Sequence, residues 1–236
     1  MRAVVFGVSG GIGRALAEGL VERGAKAVYG YSRSAVDDIP GVEMGRADIT
    51  RDNEVADAAA RVEAGGPPDL VIVSVGILSQ PDGLEPEKSY KHQEMEAFEQ
   101  VFRTNTFGPA LVAKHFLPIM PRKSRAVFAA LSARVGSISD NRIGGWHAYR
   151  ASKAALNMLM RNYAIEQGRR NKDFIAVGLH PGTVDTQLSK PFQGNVPDQK
   201  LFTPQYSAGK LLDVLEGLQP ESSGQVFDYA GEPVPA

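Results

Sequence analysis

Ala3-Val4-Val5-Phe6-Gly7-Val8-Ser9-Gly10-Gly11-Ile12-Gly13-Arg14-Ala15-Leu16 sets an apolar run, a cluster of glycines and the start of a helical stripe in direct succession. The run Ala3 to Gly7 has strand length and no polar alternation, as expected of a strand covered on both faces. Ile12, Leu16 and Leu20 recur every four residues, Ala15, Ala17 and Val21 widen the stripe, and Gly24 stops it. Between strand and helix, Gly7, Gly11 and Gly13 form G-x-x-x-G-x-G, with Ser9 and Ile12 in the intervening positions. Such glycines allow a tight turn, let a pyrophosphate approach the backbone, and leave a helix N-terminus whose free N–H groups and dipole favour an anion. The same residues satisfy G-x-S-x-G, the strained elbow that exposes a nucleophilic serine in hydrolases. An elbow sits inside a sheet that earlier strands have built, yet only six residues precede Gly7, and His180 is the one well-placed late histidine. A nucleotide site suits the position better; a purely structural glycine turn is the bland alternative.

Outward from this turn, six further runs of strand length follow: Ala27 to Tyr31, Val42 to Met44, Leu70 to Val75, Ala126 to Leu131, Phe174 to Leu179 and Gln225 to Tyr229. They alternate with segments of helical period at about 52–63, 94–120, 149–168 and 204–218. That alternation predicts an α/β fold, a single doubly wound Rossmann-type domain over 1–236 with a seven-stranded, mostly parallel sheet and helices on both faces. Gly108-Pro109 interrupts the 94–120 stretch, so a bend or break is expected between Asn105 and Pro109. Two stretches fit neither period, Gln80 to Gln93 and Val184 to Phe202; the second is the expected substrate loop, at about 184–202.

Composition removes several alternatives. Twenty-six Lys plus Arg against 27 Asp plus Glu leave a formal charge of −1, without the basic excess of a nucleic-acid binder. The absence of cysteine excludes disulfides, thiolate metal sites and cysteine nucleophiles, and four scattered histidines offer little to a metal. No apolar run is long enough to span a bilayer. A cytoplasmic protein with neither membrane nor nucleic acid as partner is expected.

Tyr31-Ser32-Arg33 ends the second strand, where a base suits the 2′-phosphate of NADP and an acid the ribose of NAD. Arg33 favours NADP(H) over NAD(H), although Asp37 and Asp38 lie close by in sequence. Asp48, followed by Ile49, follows the third strand and reads either as a contact for the adenine amino group or as a turn residue before a helix. Tyr149 and Lys153 stand four apart on one helical face. A phenol titrating near pH 10 needs a neighbouring cation to act as an acid or base near neutrality, and Lys153 is that cation.

In order and spacing, Gly7-Val8-Ser9-Gly10-Gly11-Ile12-Gly13, Asp48-Ile49, Asn105, Ser132, Tyr149-Arg150-Ala151-Ser152-Lys153 and His180-Pro181-Gly182-Thr183-Val184-Asp185-Thr186 resemble the short-chain dehydrogenase/reductase family over essentially the whole chain. Ser132-Ala133-Arg134-Val135-Gly136-Ser137-Ile138 with Gly144-Gly145 resembles its C-factor and sniffer-type carbonyl reductase branch. The resemblance implies that Tyr149 exchanges the proton at the substrate oxygen, that Lys153 holds the nicotinamide ribose and lowers the phenol's pKa, and that Asn105 holds a water linking Lys153 to solvent. It further implies Gly76 beside the adenosine half, Pro181, Gly182 and Thr183 along the nicotinamide, and Thr183 and Thr186 near the carboxamide or diphosphate.

Three departures from the family pattern stand out: Phe6 replaces a Thr, Val73-Ser74-Val75-Gly76 replaces Asn-Asn-Ala-Gly, and Ala133 replaces the second serine of a pair, whose hydroxyl polarises the substrate carbonyl. Ser132 or Ser137 is the expected substitute for that hydroxyl. Two functions follow. One is an NADP(H)-dependent oxidoreductase for a carbonyl or secondary alcohol. The other is a nucleotide-binding regulator of C-factor kind with weakened chemistry. Trp146, His147, Ile143 and the 184–202 loop are expected to border an apolar or aromatic substrate. The apolar stretch Phe98 to Leu117 suggests a homo-oligomer, dimer or tetramer.

Overall fold

The computed structural model describes every residue except Asp82 and Val196. Seven strands form one parallel sheet: β1 (Arg2–Phe6), β2 (Ala27–Ser32), β3 (Val42–Arg46), β4 (Leu70–Val73), β5 (Ala126–Leu131), β6 (Phe174–His180), and a last strand Val226–Asp228. In space the order is β3-β2-β1-β4-β5-β6 and then Val226–Asp228, so the order reverses between β1 and β4. Register is continuous from Arg2 opposite Ala27 to Phe6 opposite Tyr31, and from Ala3 opposite Leu70 to Phe6 opposite Val73. All seven expected strands are present, with ends moved by one or two residues.

Alternate side chains of each strand feed two apolar layers, as the period of two requires. Ala3 and Val5 of β1 face one layer with Leu16 and Leu20 of α1 (Gly11–Glu22) and Leu211 and Leu215 of the C-terminal helix Pro204–Gly217. Val4 and Phe6 face the other, with Val55 of α2 (Asp52–Gly65), Val112 and Phe116 of the helix Gly108–Phe116, and Leu156 and Met160 of the helix His147–Gly168. Both faces are therefore covered, which is why the strands read as unbroken apolar runs.

The 94–120 stretch is resolved into α3 (Met95–Phe102), a wide π-type turn over Arg103–Phe107, and α4 (Gly108–Phe116). The expected break thus becomes a bulge that keeps the helix axis going, with Pro109 in the first turn of α4, where its missing N–H costs least. Most of the apolar groups in this stretch serve the core: Val101, Val112 and Phe116 are buried, while Phe107 is exposed. The helix that continues from the Tyr149 motif is α5 (His147–Gly168), and the last helix is α6 (Pro204–Gly217). The 184–202 loop is not wholly irregular. Thr183–Val184 forms β7 and pairs in parallel with β8 (Leu201–Phe202), leaving β9 as Val226–Asp228. Val196 of that loop and Asp82 of the 80–93 stretch lie outside the described residues. No described helix is long and apolar enough to cross a membrane.

Candidate active site

A cleft of about 1120 Å³ opens along the carboxyl ends of the central strands, where the strand order reverses. Open parallel sheets bind ligands at this position. Its volume exceeds the ~300–1,000 Å³ of ordinary small-molecule pockets. Ser9, Gly10, Gly11, Ile12 and Gly13 wall one end; Gly76, Leu131, Ser132, Tyr149, Lys153 and Pro181 lie deeper; Thr186 and the 187–194 segment close the side.

The glycine turn is built by close approach. Gly7 takes φ +99 and its N–H donates to Tyr31 O at 2.7 Å. A Cβ on Gly13 would lie 2.1 Å from Gly7 O, so α1 packs onto the turn only with a glycine there. Gly10, the N-cap of α1, supplies no capping side chain, and the first turn holds no acidic residue. Bare backbone donors and the positive end of the helix dipole therefore face the cleft. These residues fit the diphosphate of the dinucleotide that the family resemblance implies. Among the described residues no histidine walls the cleft, so Ser9 lacks the histidine that the hydrolase reading requires.

Ser32 ends β2 and Arg33 follows it, Asp48 and Ile49 follow β3, and none of the four walls the cleft. Ser32 Oγ donates to Ser34 O, and Arg33 is exposed with its carbonyl accepting from Arg46 Nε at 3.1 Å. Asp48 Oδ1 accepts from Thr50 N–H and Thr50 Oγ1, while Asp48 N–H donates to Glu54. It thus braces the entry to α2. Ile49 is buried in the core against Gly108. Gly182 turns the chain into β7, which Thr183 opens; neither walls the cleft, and Gly182 at φ +76 fits closely under Phe202. Thr186 reaches the glycine turn: its Cγ2 would lie 3.2 Å from a Cβ on Gly11.

Deeper in, α5 aims Tyr149 and Lys153 at one spot. Lys153 Nζ donates to Leu131 O at 2.7 Å, where β5 ends, and lies 5.7 Å from the Tyr149 ring centre. Both side chains are buried. Burial pushes the Tyr149 phenol up to about 12 and the Lys153 ammonium down to about 8. Desolvation penalises either charge, and in the protein alone it outweighs any acidifying effect of Lys153 on the phenol. Near neutrality Tyr149 is then protonated and Lys153 mostly charged. Asn105, presented by the π-type turn, brackets Ile77: its Oδ1 accepts from Ile77 N–H at 2.8 Å and its Nδ2 donates to Ile77 O at 2.9 Å. Nδ2 also donates to Ser152 Oγ at 3.2 Å. A Cβ on Gly76 would be 3.4 Å from Lys153 Nζ and 3.5 Å from Asn105 Oδ1, so the backbone here lies in direct contact with both groups.

The position of Ala133 is occupied by packing. Its methyl belongs to a small apolar cluster with Leu78 and Tyr149, edged by Trp146, Leu188 and Phe192. Ser132 lines the cleft, but its Oγ donates to Asn157 Oδ1 at 2.6 Å. Ser137 accepts from Asp140 N–H and donates toward Ala236 O, away from the cleft wall. Of the expected substrate borders, Trp146 and the 184–202 loop do wall the cleft; Ile143 is 90% exposed, and neither it nor His147 reaches the wall. Motif spacing did not reveal Ser74, Asn157, Leu188 or Phe192. Leu188 and Phe192 stand four apart, a spacing that in retrospect marks one face of the loop.

A family model described as short chain dehydrogenase matches residues 1–196. A C-signal protein of Myxococcus xanthus is 39% identical over 136 residues, covering 58% of this chain and 76% of that protein. The NADPH-bound carbonyl reductase from chicken fatty liver has a TM-score of 0.84 at 25% identity, over 100% of this chain and 94% of that one. The carbonyl reductase Sniffer of Drosophila melanogaster shares the fold at TM-score 0.86 and 19% identity, over 100% and 99% of the two chains. The glycine turn, the α5 tyrosine and lysine and the family-model match together make the chain a member of the short-chain dehydrogenase/reductase family.

Proposed function

We propose that the protein is an NADP(H)-dependent oxidoreductase that moves a hydride between nicotinamide and a carbonyl or secondary alcohol. The observation that carries this reading is the pairing of Tyr149 and Lys153, buried on one face of α5 in a cleft that runs to an uncapped helix N-terminus. The exposed Arg33, whose guanidinium has no hydrogen bond or ion pair with any described residue, supports NADP over NAD. So does the NADPH-bound state of the chicken carbonyl reductase. Bound nicotinamide would supply the hydride chemistry.

The chain's own residues supply position and a proton. With the dinucleotide bound, the glycine turn and Thr186 would hold its diphosphate, Lys153 its nicotinamide ribose, and Pro181 would line the nicotinamide end. Tyr149, kept protonated by burial, is set to donate to a developing alkoxide, the reductive direction. Leu78, Ala133, Leu188 and the rings of Trp146 and Phe192 give the acceptor side an apolar, partly aromatic character, which suits an aromatic or apolar carbonyl.

Tyr149→Phe should lower kcat by about 10²–10⁴ on any carbonyl that the wild type reduces, with NADPH affinity near wild type. Retained turnover would remove Tyr149 from the mechanism. A wild type that binds NADPH yet reduces no member of an aromatic and aliphatic carbonyl panel would instead favour the regulatory reading.

A further inference from the structure

The turn before α5 is unusual. Gly144, Gly145 and Trp146 hold φ of +71, +67 and +51 in succession. Glycine adopts such values freely, whereas an L side chain does so only where its surroundings compel it. Trp146 is the only described non-glycine residue in this region of φ, and it is also the N-cap of the helix that carries Tyr149 and Lys153.

Glu87, some sixty residues earlier, meets this turn with both its main chain and its side chain. The Trp146 N–H donates to the Glu87 carbonyl, and the Ala148 N–H lies 3.2 and 3.3 Å from the two Glu87 carboxylate oxygens. The Trp146 side chain offers α5 no cap of its own, so the carboxylate meets an otherwise open donor at the positive end of the helix. Glu87 is 5% exposed, and nearby Leu84 packs against Ala148 and Val101, so this segment is fastened to α5 at two points. The fastening fixes an aromatic wall. With its backbone held left-handed, Trp146 sets its ring 5.1 Å from that of Phe192 and 6.2 Å, edge on, from that of Tyr149. Pro86 and Lys88, which flank Glu87, wall the cleft themselves.

We infer that Glu87 is a positioning residue for the acceptor side of the site, clasping the first turn of α5 so that the Trp146 indole stands as a wall beside the Tyr149 phenol. The inference rests on the oxidoreductase reading for its kinetic consequence and on geometry alone for its structural one.

Trp146 is the chain's single tryptophan, so intrinsic tryptophan emission reads this wall directly. In the full chain, Glu87→Ala and the shorter Glu87→Asp should shift emission to the red. They should raise KM for the carbonyl by roughly ten- to a hundredfold, with a smaller change in kcat and NADPH affinity retained. Glu87→Gln keeps an oxygen at the same reach and should restore both emission and KM. If Glu87→Ala does not fold, Glu87→Asp decides the matter: unchanged emission and KM in that variant overturn the proposal. A red shift with KM unmoved also overturns the role in the reaction. Should the wild type reduce no carbonyl, emission with and without NADPH still tests the clasp, so its failure is separable from failure of the functional reading.

Discussion

Ala133 places a methyl group in the proposed acceptor site, where the family pattern has a hydroxyl, and the structure engages Ser132 and Ser137 elsewhere. Loss of one donor to a developing oxyanion costs about 10²–10³ in rate, so Ala133→Ser should raise kcat by at least about tenfold if the carbonyl oxygen sits beside Tyr149. Steady-state kinetics of that variant check it, and no gain would place the oxygen elsewhere. A second residue-scale consequence concerns His180, at the end of β6. Burial lowers its imidazole to about 4, with Asp228 opposing and Arg134 adding to the shift, and its Nδ1 has no hydrogen-bond partner. The unfolded chain therefore takes up this proton first. Stability from this group is complete above about pH 6.5 and is lost as pH falls toward 4. His180→Asn should flatten the acid limb of the wild-type profile of Tm against pH over that window.

At the scale of elements, the wide turn between α3 and α4 is what delivers Asn105. In a regular α-helix the same residue would face a different direction, and the bracket on Ile77 after β4 would be lost. Asn105→Ala leaves the Ile77 N–H and carbonyl without their amide partner in a partly buried setting at the cleft wall, at up to about 1–3 kcal/mol for each group that stays unmet. Urea unfolding of that variant measures the cost, and an unchanged midpoint would show that water replaces the amide. Glycine and proline at 108 and 109 marked the interruption correctly in the sequence. Its form was hidden, because an α break and a π bulge share the same composition. Similarly, the Tyr149 spacing marked α5, while the cap on that helix comes from Glu87, whose partner lies too far along the chain for any local pattern to name.

For the whole molecule, the layer that Phe6 enters shows how a lost polar residue is absorbed. Phe6 is buried, stacked on Tyr31 at 5.1 Å and edge on to Phe116 at 5.3 Å, while its carbonyl accepts from Ser74 Oγ at 2.7 Å. An aromatic trio thus stands at the site of the family's threonine, and the serine that replaces one family asparagine still ties β4 to β1. Phe6→Thr should cost about 3 kcal/mol or more, because it opens a cavity the size of a ring and buries a hydroxyl. Thermal unfolding would show it, and a near-neutral result would mean that the layer recloses. Strands, helices, their alternation and the glycine turn were legible because apolar period and glycine spacing are short-range properties of the chain. The directions of Ser132, Asp48 and Ile49, the aromatic wall of Trp146 and Phe192, and the opposed titration of Tyr149 and Lys153 were not. Each depends on which distant segment packs alongside and how much water that packing removes, and hydrogen-bond direction and desolvation exist only once those segments have met.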